Sequence, residues 1–413
     1  MKKQSNTPKI RFHNYKELWE CDDLKNIFGT IRNAFVGTAT PYYVEKGHFY
    51  LESNNVKNGK INYNSQIFIN DEFYEKQRDK WLKTNDIVMV QSGHVGHTAV
   101  IPKELNNTAA HALIVFTDYK KEVNPHFLNY QFQSSSKRKK LDLISTGNTI
   151  KHILASEMKS FKMDFPTVEE QSAIGSLFRT LDALLTSYKD NLANYQSLKA
   201  TMLSKMFPKA GEAVPEIRLD GFEREWKKFK LKDVAHRVQG NDGRMDLPTL
   251  TISASGGWMN QIDRFSANIA GKEQKNYTLL KKGELSYNHG NSKLAKYGVV
   301  FELQDYEEAL VPKVYHSFRV NQLADAKFIE IMFSTKIPDR ELGKLISSGA
   351  RMDGLLNISF DDFMNIAIII PTIEEQQAIG AYFSILDNLI ATHQEKISQL
   401  ETLKKKLLQD MFI

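Results

Sequence analysis

The chain has 413 residues, 41% of them apolar and 11% aromatic, which suffices for two ordinary domains with real cores and excludes wholesale disorder. Its single cysteine, Cys21, excludes an internal disulfide framework and fits a reducing cytoplasm. The net charge of +6 is unevenly spread: Lys and Arg stand against Asp and Glu 24 to 17 over residues 1–165, 4 to 4 over 166–207, 23 to 22 over 208–370 and 4 to 6 over 371–413, so the first part suits a polyanion partner, with a solvated basic surface as the equally common alternative.

The opening MKKQSNTPKI is polar without an apolar core, so no signal peptide is expected, and the longest apolar runs, such as NIAIII ending at Ile370, are far too short for a membrane span. From Pro8 the chain reads PKIRFHNYKELWECDDLK, followed by short strand-like runs, QIFIN, DIVMVQSG, HTAVI and HALIVF, punctuated by Gly and Asn. The loop after DIVMV carries Gln91, Ser92, His94 and His97, polar groups suited to a nucleic-acid contact. Read as half of a metal site, GHVGH lacks a Cys or H-E-x-x-H partner, so no metal is expected. NPHF at Asn124 resembles the N-P-P-Y/F motif of amino-methyltransferases but lacks the second Pro and any preceding S-adenosylmethionine-binding Gly motif. Asn124 as N-cap with Pro125 in the first helical turn is the better reading. SSSKRKKLDLISTGNT then places Lys137, Arg138, Lys139 and Lys140 before a Ser/Thr/Gly/Asn loop. There basic side chains would grip phosphates while Asn148 or Thr149 approaches base edges; a solvated basic helix end is the alternative.

PTVEEQSAIGSLFRTLD, from Pro166, opens a long amphipathic helix over 166–207. Thr167 with Glu170 reads as a capping box, and apolar residues at Ile174, Phe178, Leu181, Leu185, Tyr188, Leu192 and Tyr195 form a heptad seam. The Pro/Gly/Ala-rich linker FPKAGEAVPEIR leads to PEIRLDGFEREWKKFKLK, an echo of the opening at an offset of 207: Pro8, Ile10, Arg11, Trp19, Leu24 and Lys25 recur as Pro215, Ile217, Arg218, Trp226, Leu231 and Lys232. A second set of strand-like runs follows, LPTLTIS, GELSYNHG, YGVVFEL and VYHSFRV. Within it NHGNSKLAKYG offers Asn288, His289, Asn291, Lys293 and Lys296 to base edges, with a polar hairpin turn as the bland alternative; Arg351 is placed with them. At Pro371, PTIEEQQAIGAYFSILD repeats the first helix, with 17 identities in 42 ungapped positions and Thr372, Glu375, Ile379, Phe383, Leu386, Ile390, His393, Ile397 and Leu400 at the matching steps. Lys199 and Lys404 fall on the seam in both copies, where a polar residue can fix register.

The chain is therefore two tandem units, each a globular domain followed by a helix: 1–165, 166–207, 208–370 and 371–413. The expected class is α+β, two mixed α/β domains separated by two long antiparallel coiled-coil helices in a pseudo-twofold tandem repeat. No G-x-x-x-x-G-K-[ST] and no nucleophile–base constellation occur, so no catalytic centre is expected.

Duplicated P-T-x-E-E-Q-x-A-I-G…F…L-D helices, each preceded by a variable domain opening P-x-I-R…W…L-K, resemble the specificity subunit of type I restriction–modification enzymes, over essentially the whole chain. The resemblance implies two target recognition domains on conserved spacers, double-stranded DNA as partner, and assembly with two modification (methyltransferase) subunits and with restriction (motor–nuclease) subunits. It places adenine methylation or DNA cleavage, with their S-adenosylmethionine, ATP and Mg, in those partners and leaves this chain non-catalytic. Two readings stand against it. A standalone DNA-modifying enzyme would transfer methyl groups alone. A coiled-coil scaffold with protein-binding heads would be indifferent to DNA.

Overall fold

A computed structural model describes residues 7–147, 151–209, 211–266, 271–290, 292–346 and 355–413. The chain divides into two compact units, Met1–Asp190 with Glu395–Ile413, and Asn191–Gln394.

In the first unit a four-stranded antiparallel sheet runs in the order Phe28–Asn33, Leu113–Tyr119, Ile87–Val90, Thr98–Val100. Its central strands are apolar on both faces, as LIVF and IVMV require. Met89, Ile114 and Phe116 face a core with Trp19, Phe127 and Phe178, while Val88, Val90, Leu113 and Val115 face a second core with Leu51 and Val56. The second unit repeats the sheet in the same order: Ala235–Arg237, His316–Val320, Leu285–Asn288, Val299–Glu302. Both units also pair an early strand with a late one, Glu20–Asp23 with Lys162–Phe165 and Lys227–Lys230 with Ala367–Ile370, but their remaining strands differ. The first adds a small sheet with a parallel pair, Ala109–Ala110 beside His48–Leu51, and the second adds two antiparallel pairs, Leu250–Ser253 with Gly257–Asn260 and Thr278–Lys281 with Glu308–Val311.

The two long helices are Val168–Lys205 and Ile373–Asp410, 38 residues each. Within each unit their segments run antiparallel. In the first, Lys404 Nζ lies 2.6 Å from Asp182 Oδ1 and Lys189 Nζ lies 2.6 Å from Glu401 Oε1. In the second, Tyr195 meets His393 at 5.1 Å between ring centroids and Lys199 pairs with Asp387. The seam lysines thus fix register through two aspartates that close the repeated L-D. The units divide each helix near its middle because Ile174, Phe178 and Leu181 belong to one core and Ile379, Phe383 and Leu386 to the other.

The repeated P-T-x-E-E-Q is a dock, and here the capping-box expectation is corrected. Thr167 Oγ1 does accept from the Glu170 amide at 3.4 Å, but the Glu170 carboxylate takes Arg11 instead: Nε to Oε1 at 2.8 Å and Nη2 to Oε2 at 2.7 Å. Glu375 holds Arg218 in the same fork, at 2.7 and 2.6 Å. A bidentate guanidinium is a stronger and more directional partner than one cap amide. Gln171 and Gln376 fasten the domain helices Pro125–Gln133 and Ala326–Ser334, whose N-cap amides at Asn124 and Asp325 donate to them at 3.0 and 2.9 Å. Trp19 then packs edge-on against Phe127 and Phe412, and Trp226 against Phe207 and Phe328, so the repeated W and terminal M-F close the same core twice.

The glycine of A-I-G permits this approach. A Cβ on Gly175 would lie 2.9 Å from Asn124 Oδ1, the atom that caps the domain helix, whereas on Gly380 the nearest contact, Asp325 Oδ1, is an ordinary 3.4 Å. We therefore expect Gly175→Ala to lower the denaturation midpoint and Gly380→Ala to be neutral or to raise it, since Ala gains about 0.5–1 kcal/mol over Gly inside a helix. Equal effects from the two substitutions would contradict the dock.

Candidate nucleic-acid interface

In both units a loop leaves the third sheet strand and returns in the fourth, and in both a later segment backs it. In the first, Ile153 N donates to Gln91 O at 2.9 Å and Gly93 N to Lys151 O at 3.2 Å, while Thr146 and His152 exchange backbone bonds at 2.9 and 2.8 Å. In the second, Leu356 N donates to His289 O at 2.9 Å. The loop Gln91–His97 and the far end of the helix Ser135–Ile144, distant in sequence, are thereby brought side by side.

Within that assembly His94 is exposed, and Gln91 and Ser92 are half-buried. Gln91 Oε1 is buried with no hydrogen-bond partner among the described residues. His97 is half-buried, accepts at Nδ1 from Asn58 N at 3.0 Å, and is held well below the ordinary imidazole range, at about 4, by burial and then by Arg138. Arg138 is also half-buried, its Nη1 donating to Val95 O at 3.4 Å. Lys139 and Lys140 are exposed.

Lys137 corrects the reading of the basic run. Its side chain is fully buried, Nζ pairing with the Asp164 carboxylate and donating to Lys162 O at 3.2 Å, and burial pushes its pKa down. It sits one helical turn before buried Leu141, so this lysine faces the core and offers nothing to a phosphate.

In the second unit Asn288 is half-buried, accepting from Gly290 N at 3.0 Å and donating to Ile252 O at 3.3 Å. His289 also departs from expectation: it is 6% exposed and stacks on His316 at 4.7 Å between ring centroids, as core does. His316, whose pKa is lowered by burial, has its Nε2 2.9 Å from Ile358 O. Lys293 and Lys296 are exposed, Lys296 Nζ lying 5.2 Å from the Tyr297 ring centroid. Asn148, Thr149, Asn291 and Arg351 lie outside the described residues. Sequence reasoning missed Asn58 and Lys60 beside the first loop; the Asn-Gly pair there, a strong hairpin signal, would have located them.

Among the described residues no group of three or more His, Cys, Asp and Glu side chains is gathered as a metal would need, and no helix is long and apolar enough to cross a membrane.

The family model for the type I restriction modification DNA specificity domain matches the chain twice, at residues 39–194 and 223–402. Among curated proteins, the type I restriction enzyme EcoBI specificity subunit of Escherichia coli is 24% identical over 223 residues, covering 52% of this chain and 47% of that protein. The type I restriction enzyme MjaVIII specificity subunit of Methanocaldococcus jannaschii is 22% identical over 279 residues, 63% of this chain and 64% of that protein. The matches therefore span between about half and two thirds of these relatives' lengths. Among solved structures, the S subunit of a type I restriction–modification system from M. genitalium shares the fold, with a TM-score of 0.59 over 98% of this chain and 99% of that chain at 15% identity. Two matched segments falling on two copies of one frame establish that this chain belongs to the type I restriction modification DNA specificity domain family.

Proposed function

We propose that this chain is the non-catalytic DNA-recognition subunit of a type I restriction–modification complex in the cytoplasm, reading a bipartite, asymmetric target in double-stranded DNA. Two modification subunits join it and carry S-adenosylmethionine for adenine methylation. Restriction subunits, with ATP and Mg, carry cleavage. One observation bears most of this reading: the same sheet order presents a loop at the same place in each unit, and the two loops carry different chemistry, Gln91–His97 in one and Asn288–Lys296 in the other. A shared frame with divergent loops is what two readers of different half-sites need. Exposed Lys139, Lys140, Lys293 and Lys296 would supply phosphate contacts, which position the protein, while loop side chains supply base contacts, which specify.

The test is a methylation map of cells expressing the chain with its modification subunit, beside a variant in which residues 30–150 are exchanged for the equivalent stretch of another family member. We expect a two-part motif in which the exchange changes one half only. A change in both halves, or methylation without a motif, would sink the reading.

A further inference from the structure

His97 and Arg138 meet in a way that ordinary hydrogen bonding within the chain leaves incomplete. Asn58 and Gly59 form the turn between Val56–Lys57 and Lys60–Ile61, with φ of 50° and 84°, as a two-residue hairpin turn requires. Asn129 Nδ2 donates to Gly59 O at 2.9 Å and fixes that turn. The Asn58 amide, which can only donate, is thereby aimed at His97 Nδ1 at 3.0 Å. Nδ1 must then be the acceptor, so in the neutral ring Nε2 carries the hydrogen. Arg138 Nη2 lies 3.3 Å from that Nε2. Two donors therefore face each other, with no lone pair between them.

They open on a groove of about 510 Å³ whose walls include Lys60, Lys189, Lys404 and Lys405. The acids there are already engaged: Asp182 by Lys404 and by the Tyr130 hydroxyl at 2.8 Å, and Glu401 by Lys189. Asp142, which acts on Arg138 at longer range, pairs with Lys151 at 3.3 Å. The low pKa of His97 agrees with a ring that stays neutral and keeps its Nε2 hydrogen at physiological pH.

We infer that His97 Nε2–H and the Arg138 guanidinium form a two-donor clasp for a phosphate of the DNA backbone beside the first half-site. This rests on the DNA-recognition reading above and assigns these two residues to backbone grip, not to base reading. An anion supplies the lone pairs both donors lack, and a charge-assisted bond to phosphate is the strong form of that contact. Among the described residues the second unit shows no counterpart. At the matching place after its domain helix stands Asp339, opening the helix Asp339–Lys344, an acid where the first unit has Arg138.

The experiment measures equilibrium DNA binding against salt for the full chain assembled with its modification subunits, in the parent and in Arg138→Gln, His97→Phe and His97→Gln, each checked for folding by thermal denaturation. Arg138→Gln is expected to weaken matched and unmatched DNA alike. Its deficit should narrow about 3.5-fold between about 50 and 200 mM salt, because one lost phosphate contact lowers the log–log slope by about 0.9. His97→Phe should weaken binding uniformly without changing the slope, because no charge is removed. His97→Gln, whose amide can donate, should recover part of the loss. A folded Arg138→Gln complex with the parent's slope would overturn the clasp, and a loss confined to one base of the motif would make these residues base readers. Inorganic phosphate titrated into the lone chain separates the sources. If it raises the melting temperature and Arg138→Gln abolishes that rise while the DNA slope stays unchanged, the ligand is a free phosphate and the DNA assignment falls. Should the parent complex show no motif at all, it is the DNA-recognition reading that fails; a parent with a motif and an unaltered variant slope condemns the clasp alone.

Discussion

Replacing Lys137 by alanine is expected to cost about 3–5 kcal/mol of folding stability, whereas replacing the neighbouring Lys139 and Lys140 should stay within about 0.5 kcal/mol. The three residues fall within one turn of the same helix and are chemically identical, so burial alone separates them. Lys137 is fully buried and its ammonium is satisfied by the Asp164 carboxylate and by the Lys162 carbonyl. Gln131 holds Asp164 from the backbone, donating to its carbonyl at 2.6 Å and accepting from its amide at 3.3 Å. Removing Lys137 leaves that carboxylate, 11% exposed, without its counter-charge in a low-dielectric site, where an unpaired charge costs several kcal/mol. Removing Asp164 does the same to the ammonium, so the two losses should not add. The measurement is chemical denaturation of Lys137→Ala, Asp164→Ala and the double variant. A double variant well above the sum of the singles is expected. Lys137→Ala unfolding with the parent, or Lys139→Ala falling with it, would restore the basic run to the surface.

Much of the frame was legible because the chain states it twice. The heptad steps, the Asn124 N-cap and every strand-like run named above appear as helix, cap and strand, since local pattern determines local structure. The dock was half legible. Glu170 presents itself in sequence as a cap partner because the visible signal, Thr167, is three residues away, while its true partner, Arg11, is 159 positions off. Yet Arg11 and Glu170 both recur in the second copy, as do Asp182 and Lys404 in Asp387 and Lys199. Doubled charged residues without a local role were a usable sign of long-range pairs. The loops were less legible, for a physical reason. Four consecutive basic residues hide helical phase unless Lys137 is set on one face with Leu141. His289 hid in the same way at the end of a strand: it continues the parity of buried Leu285 and Tyr287, so alternation pointed it inward although its chemistry suggested a surface reader.

Glu170→Ala should release the first dock and lower stability by about 3–5 kcal/mol, and Glu375→Ala should do the same in the second unit. Both carboxylates are at most 1% exposed, and their arginines, Arg11 and Arg218, are 12% and 14% exposed. The loss is larger than one ion pair would suggest, because Arg11 Nη2 also donates to Glu17 O at 2.7 Å, tying down the segment that leads to Trp19. In the second copy Trp226 Nε1 donates to Glu375 Oε1 at 3.4 Å, so the same carboxylate anchors the indole as well as the guanidinium. Arg11→Lys keeps the charge but not the fork, and a single ammonium cannot satisfy two carboxylate oxygens and a carbonyl in one plane. It should therefore recover only part of what Arg11→Ala loses. A double-mutant cycle on Arg11 and Glu170 isolates the coupling, expected at 0.5 kcal/mol or more, roughly up to 3. Full recovery by lysine would reduce the contact to simple charge, and a coupling near zero would mean that the repeated P-x-I-R and E-E-Q pack side by side without holding one another.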